Sequence, residues 1–365
     1  MLKIRKEIIS RLQATSNIKD VQELLAGAVS LEYSTIPPYL TALFSIKEGN
    51  QQARALVHSI VVEEMLHMTL AANTLIAIGG KPRILEDALK LYYPGPLPMC
   101  VDEGLTVTLA SLTRQQVGAV FMAIERPDTT AILPGEMALR AEAAQTSYAS
   151  IGVFYQAILK KLGELVAQGQ PIFREPRLEQ QIDISKWFPP EIKSFPDGKV
   201  HSMESATAVL NTIIWQGEGV QIRDDRIDPF EGHDGNYAHY FKFGEIFYGH
   251  RLKRNVEAPS GWSYTGDAVP LDESNIVNLK PNAALSDYPR GSGAQIAGKQ
   301  FYEAYHSLLV ALDQTFNGHP ERLNAALGIM FELKLVAQQV MQFRLEDQPV
   351  PLYAAPPFMR THEPR

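Results

Sequence analysis

A carboxylate in the middle of an apolar helical face constrains this chain more than any other feature. From Val57 to Asn73 the residues follow helical periodicity. At about 100° per residue, Val57, Ile60, Val61, Met68, Ala71 and Leu75 form one apolar stripe. Glu64 falls near the centre of that stripe and His67 on its edge. An inward carboxylate is costly unless something pairs with it. Two arrangements meet the need: a buried structural ion pair, or a metal site. A Glu and a His three apart, both turned inward, form the ligand unit of di-iron carboxylate bundles. Glu63 points about 100° away from Glu64, so it is peripheral or a supporting group.

The remaining chain reads as mainly α. A helix is expected from about 21 to 47, with a kink or break at Pro37-Pro38, because two prolines remove the donors for the carbonyls of Tyr33 and Ser34. Gly79-Gly80-Lys81-Pro82 ends the second helix, and the short connection at Glu48-Gly49-Asn50 makes the two antiparallel. Further helices are expected near 113–125, 136–167, 202–217, 237–248, 295–316 and 320–343. The second of these carries the stripe Tyr148, Ile151, Tyr155, Ile158 and Leu162. Residues 82–112, 169–199 and 255–294 read as long loops, the second with room for a short strand. This divides the chain into a metal-binding bundle with insertions (1–254), a long loop (255–294), a helical hairpin on the bundle (295–345) and a proline-rich tail draped over the surface (346–365).

Composition excludes several classes. The balance of 34 basic against 41 acidic residues gives a net charge of −7, which argues against broad nucleic-acid binding. A single cysteine, Cys100, rules out an intrachain disulfide and a cysteine-rich metal site. Metal ligands must then be His, Asp or Glu, a set suited to iron, manganese or zinc. No apolar run approaches the ~20 residues of a bilayer span, and the first residues lack the pattern of a secretory signal. A cytoplasmic protein is the expectation, with a small-molecule substrate, no nucleic-acid or membrane partner, and self-association left open.

Two segments together carry a resemblance: Leu31-Glu32-Tyr33-Ser34-Thr35-Ile36-Pro37-Pro38-Tyr39-Leu40 and Val62-Glu63-Glu64-Met65-Leu66-His67-Met68. With Ala77–Pro82, Tyr93–Pro98, Ala123–Pro127, Gln216–Gly219, Ala238–Phe241 and Phe316–Gly318 in order, the chain resembles a ferritin-like domain family. That family includes iminophenyl-pyruvate dimer synthase of violacein biosynthesis and its chromopyrrolate-forming relatives. The resemblance implies a ferritin-like four-helix bundle with long loop insertions around a non-haem metal centre, mono- or dinuclear. It implies Glu32, Glu64 and His67 as ligands. Glu218, four residues after Ile214, and His239, at the start of an aromatic helix, are candidates for the other half, with Glu125 and Glu245 in reserve. The family pattern also has a Glu within Ile-Gly-Glu-Phe-Tyr, where this chain has Val153. Tyr39, Tyr155 and Tyr240 are candidates for a hydrogen bond or a redox-active phenol at the centre, and Tyr39, Tyr240 and Glu125 for catalytic roles.

The functional expectation is a metal-dependent oxidoreductase acting on a small organic metabolite, amino-acid-derived by the resemblance, in a biosynthetic pathway. The alternative is a metal-binding protein without turnover. Three other patterns are decoys. Glu303-Ala304-Tyr305-His306 has the Glu-x-x-His spacing, but Glu303 points away from its helix stripe. Gly293–Gln300 nearly matches a phosphate loop but lacks the final Ser or Thr. His233, Asp234 and His250 lie in or near a polar loop.

Overall fold

Helical periodicity is realised over most of the chain in the computed structural model, which describes residues 4–100, 104–127, 133–135, 148–149, 151–188, 192–217, 237–345 and 351–362. A short strand β1 (Ile4–Arg5) leads into α1 (Lys6–Ala14), α2 (Ile18–Ser45) and α3 (Gln51–Ala77), and then α4 (Ile84–Ala88). Asn17 caps α2 by accepting the Lys19 N–H. A helical run follows: α5 (Arg114–Gln116), a π-turn at Val117–Phe121 and α6 (Met122–Ile124). Next come β2 (Tyr148–Ala149), α7 (Ile151–Ala167), α8 (Met203–Gly217), α9 (His239–Tyr248), β3 (His250–Arg254), β4 (Trp262–Ala268), α10 (Gly293–Phe316) and α11 (Leu323–Val340).

The four helices α2, α3, α8 and α7 pack in a ring, each against the next, and α10 with α11 forms the hairpin laid against α2 and α4. This is the expected bundle. Its interior is dense: Tyr39, Tyr155, Phe121, Phe154, Phe241 and Phe243 are among the largest fully buried side chains. Burying each such ring contributes roughly 1.5–3 kcal/mol. From Leu66 to Ala77 the helix α3 is buried on every side, which a single apolar stripe does not anticipate. By length and composition α3 could cross a membrane, contrary to the reading of short apolar runs; here it is mostly buried within the protein.

Several expectations need correction. Pro37 and Pro38 do not break α2, which runs through both. The Ser34 carbonyl, which loses its helical donor to Pro38, instead accepts the Tyr93 hydroxyl at 2.7 Å. Tyr93→Phe is therefore expected to cost about 1–3 kcal/mol in urea unfolding, since it leaves a buried carbonyl unpaired; a change within error would show that the prolines are satisfied some other way. The helix expected from 136 starts at Ile151, and Tyr148 pairs in a strand with Arg5; residues 136–147 lie outside the described residues. The stretch 255–294 contains β4, which forms an antiparallel hairpin with β3. Gly244 of α9 lets Tyr264 of β4 approach so closely that a Cβ there would overlap its hydroxyl. The connection 169–199 has a 3₁₀ turn at Ile184–Lys186 and no strand among its described residues. Asn73 pins it to α3, donating to the carbonyls of Ile182 and Gly198 and accepting the Ile182 N–H. The proline-rich tail is not draped outside: Ala354, Ala355, Phe358 and Met359 are buried, and Phe358 packs edge-on against Phe301 and Tyr305. Proline prevents helix there, not burial of the apolar residues beside it.

Candidate metal centre

Local helical spacing brings Glu32, Thr35 and Tyr39 to one face of α2, and Glu64 and His67 to one face of α3. The antiparallel packing of the two helices sets these faces together. Across from them stand Glu125, at the end of α6, and His239, the first residue of α9. All of these residues are buried.

Each of the five acidic and histidine side chains has one polar atom tied outward and the other turned inward. Tyr155 of α7 donates to Glu32 Oε1 at 2.7 Å, and Glu32 Oε2 lies 3.8 Å from His67 Nδ1. Thr35 donates to Glu64 Oε2 at 2.9 Å, and Glu64 Oε1 lies 2.9 Å from His239 Nδ1. Tyr39 donates to Glu125 Oε1 through a short hydrogen bond, and Glu125 Oε2 lies 3.5 Å from His239 Nδ1. His67 Nε2 is 3.0 Å from Gln216 Oε1 of α8, and His239 Nε2 is 2.9 Å from Glu63 Oε2. Both of those partners are acceptors, so each Nε2 carries a proton; the neutral His67 presents its Nδ1 lone pair inward, and His239 does so once its Nδ1 proton gives way to a metal. The two imidazoles stack with centroids 5.2 Å apart. Lys242, one turn along α9 from His239, holds both oxygens of Glu63 at 2.7 and 2.6 Å.

Among the described residues charge is unbalanced here: Glu32, Glu63, Glu64 and Glu125 crowd together, and the Lys242 ammonium pairs with Glu63. Burial, then the charge of Glu64, holds Glu32 well above the usual carboxylate range. Burial, then Glu125, raises Glu64. Burial opposes ionisation of Glu63 too, but His239 and Lys242 outweigh it and hold that carboxyl at about 2. Burial, then the neighbouring His239, lowers His67 to about 3, so its imidazole is neutral. Burial alone would lower His239, but Glu125, Glu63 and Glu64 raise it well above its ordinary value. Burial and mutual repulsion thus oppose full ionisation of Glu32 and Glu64, a repulsion that a bound cation would relieve.

The fit to a metal can be tested on one atom. His239 Nδ1 is fully buried and has no hydrogen-bond partner, although two carboxylate oxygens lie close by. Off-line proximity of that kind suits ligands aimed at a common ion better than a donor and acceptor aimed at each other. Ligand atoms of Glu64, His67 and His239 all lie within 4.8 Å of one another, with Glu32 and Glu125 flanking them. The donors are oxygen and imidazole nitrogen, a set suited to iron, manganese or zinc.

The sequence candidates sort accordingly. Glu32, Glu64, His67, Glu125, His239 and Tyr39 come together. Glu218 lies outside the described residues, as do His233 and Asp234. Tyr240 does not stand with Tyr39 and Tyr155 as a donor to these carboxylates; its ring is buried edge-on against Phe241, beside Tyr264. Glu245 is turned to the β-hairpin, accepting Arg251 and the Leu252 N–H. Val153 is 39% exposed, so the α7 position expected to carry a missing ligand faces outward. Sequence reasoning missed Gln216, Lys242 and Thr35 as supporting groups. Only Thr35 and Lys242 left a signal, each at helical spacing from a candidate ligand. Glu303 is exposed beside Lys299, and Ser292 caps α10 by accepting the Gln295 N–H within the glycine-rich decoy.

A helical bundle with carboxylates and histidines converging in its interior defines a class of metal-site bundles. A family model described as ferritin-like matches residues 25–248, and the chain belongs to the ferritin-like family. Among solved structures, it resembles a ferritin-like protein from Caulobacter vibrioides at 21% identity and a TM-score of 0.54, covering 89% of this chain and 96% of that one. That similarity concerns the fold. Comparison with curated proteins gave no significant match.

Proposed function

We propose that this protein is a non-haem metal-dependent oxidoreductase acting on a small organic metabolite. Glu64, His67 and His239 hold the metal, with Glu32 and Glu125 alongside; iron leads, with manganese or zinc as alternatives. The observation that carries this reading is the buried, partnerless Nδ1 of His239 beside inward oxygens of two carboxylates, Glu64 and Glu125. Bound iron or manganese would supply one-electron redox chemistry there, whereas zinc would supply Lewis acidity alone. The residues of this chain supply orientation and proton control. Glu63 and Gln216 fix the tautomers of the two histidines, and Lys242 keeps Glu63 ionised. Tyr155 and Tyr39 each hold one carboxylate oxygen, and burial beside those carboxylates keeps both phenols protonated as hydrogen-bond donors.

Two features support turnover over storage. Val153, where the family pattern has a Glu, sits on the outer side of α7, so its lack of a carboxylate takes no ligand from the inward cluster. The long connections and the α10–α11 hairpin add walls that an iron-storage bundle does not need. The resemblance to iminophenyl-pyruvate dimer synthase supports an amino-acid-derived substrate.

Oxygen uptake by protein loaded anaerobically with Fe(II) tests the reading. The wild type is expected to consume O₂ over repeated cycles when a reductant is supplied, and Glu64→Ala to consume none above free iron. Uptake that ends once each Fe(II) has given up one electron, at no more than half an O₂ per iron, would support storage instead; none at all would remove the oxidoreductase proposal.

A further inference from the structure

An apolar cavity of about 90 Å³, partly open to solvent, lies beside the carboxylate–histidine cluster, between the α2–α3 pair and the α10–α11 hairpin. Ile36 and Met68 line it, and each stands one helical turn beyond Glu32 and Glu64 on the same helix. Both are buried, so the cavity wall continues along the same helices to the cluster one turn away.

The wall chemistry restricts what can enter. Among the described residues, none of those lining the cavity is charged. The hydroxyls of Tyr33 and Tyr305 are bonded to each other by a short hydrogen bond, and that of Thr69 donates to the Met65 carbonyl at 2.8 Å. The three hydroxyls on the wall are therefore each engaged with a neighbouring group. A carboxylate or ammonium drawn inside would lose water and gain no partner. Met65, Met68 and Met330 contribute unbranched thioethers that adjust to ligand shape. Trp187, 39% exposed, reaches the cavity from the connection after α7.

We infer that this cavity is a binding site for an uncharged, apolar small molecule, one helical turn from the cluster along α2 and α3. Its binding stands independently of the metal; that such a molecule is the substrate rests on the function proposed above. Full-length protein, as purified and after chelation, is titrated with the neutral fluorophore N-phenyl-1-naphthylamine. Saturable binding at one site per chain is expected in both states. Leu312→Trp, on α10, and Ala326→Phe, on α11, fill the cavity from different helices. Each is expected to weaken binding at least about tenfold with wild-type circular dichroism. Phe331→Glu, on the outer side of α11, is expected to bind as the wild type does. 1-Decanol should displace the probe at least about tenfold better than decanoate. Absent saturable binding, indifference to both filling variants, equal loss in Phe331→Glu, or equal displacement by decanoate would each overturn the inference. Because binding is read on chelated protein too, its failure leaves the metal reading intact, and failure of the metal reading leaves the binding result standing.

Discussion

Protein carrying His67→Ala, purified without chelator, is expected to hold at least about tenfold less iron, manganese and zinc per chain than the wild type by elemental analysis. His67 supplies an inward Nδ1 whose ring is fixed by Gln216 on its other side. Alanine removes the ligand and leaves Gln216 with no metal-facing role. Glu64→Gln should behave alike, and it is nearly isosteric, so it separates loss of a ligand from loss of packing. The natural control is Glu303→Gln with His306→Ala. That pair has the same spacing on α10, but Glu303 is exposed, so metal content should not change. If His67→Ala and Glu64→Gln both keep wild-type metal, the cluster is a buried polar network and not a metal centre.

Lys242→Ala is expected to destabilise the protein by about 3–5 kcal/mol in denaturant titration. Lys242 Nζ reaches both oxygens of Glu63 inside the core, and both residues are buried. Removing the ammonium leaves a desolvated carboxylate with only the His239 Nε2–H beside it. Substituting both members, as in Glu63→Gln with Lys242→Met, should recover most of that loss, because no uncompensated charge then remains. The single variant should also weaken metal binding by roughly 10–100-fold, since the Glu63–Lys242 pair fixes the His239 ring. A loss of stability without a loss of affinity would limit the pair to a structural role.

How far the site was legible depends on chain separation. Thr35 and Tyr39 follow Glu32 at helical intervals, and His67 follows Glu64 by three, so local periodicity places them on inward faces. Tyr155 was visible as part of the α7 stripe, but not as the donor to Glu32, which lies 123 residues earlier. Gln216 and His67 are 149 residues apart, and His239 and Glu63 are 176 apart. No local pattern encodes those pairings. Position 153 was misjudged because a motif comparison carries no helix phase. In this helix Phe154 and Tyr155 face the core and Val153 faces out.

The sequence by itself determined that Glu64 is an inward carboxylate on an apolar helix, with His67 beside it and Glu32 on the preceding helix, within a mainly α chain. Helical geometry is a property of neighbouring residues, so a few turns of sequence suffice. Only the tertiary structure decided what meets that pair. The ring helices α7 and α8 bring Tyr155 and Gln216, while α6 and α9 bring Glu125 and His239 from outside the ring. That convergence comes from packing among distant segments, where side-chain volume and the need to satisfy buried polar atoms choose the partner.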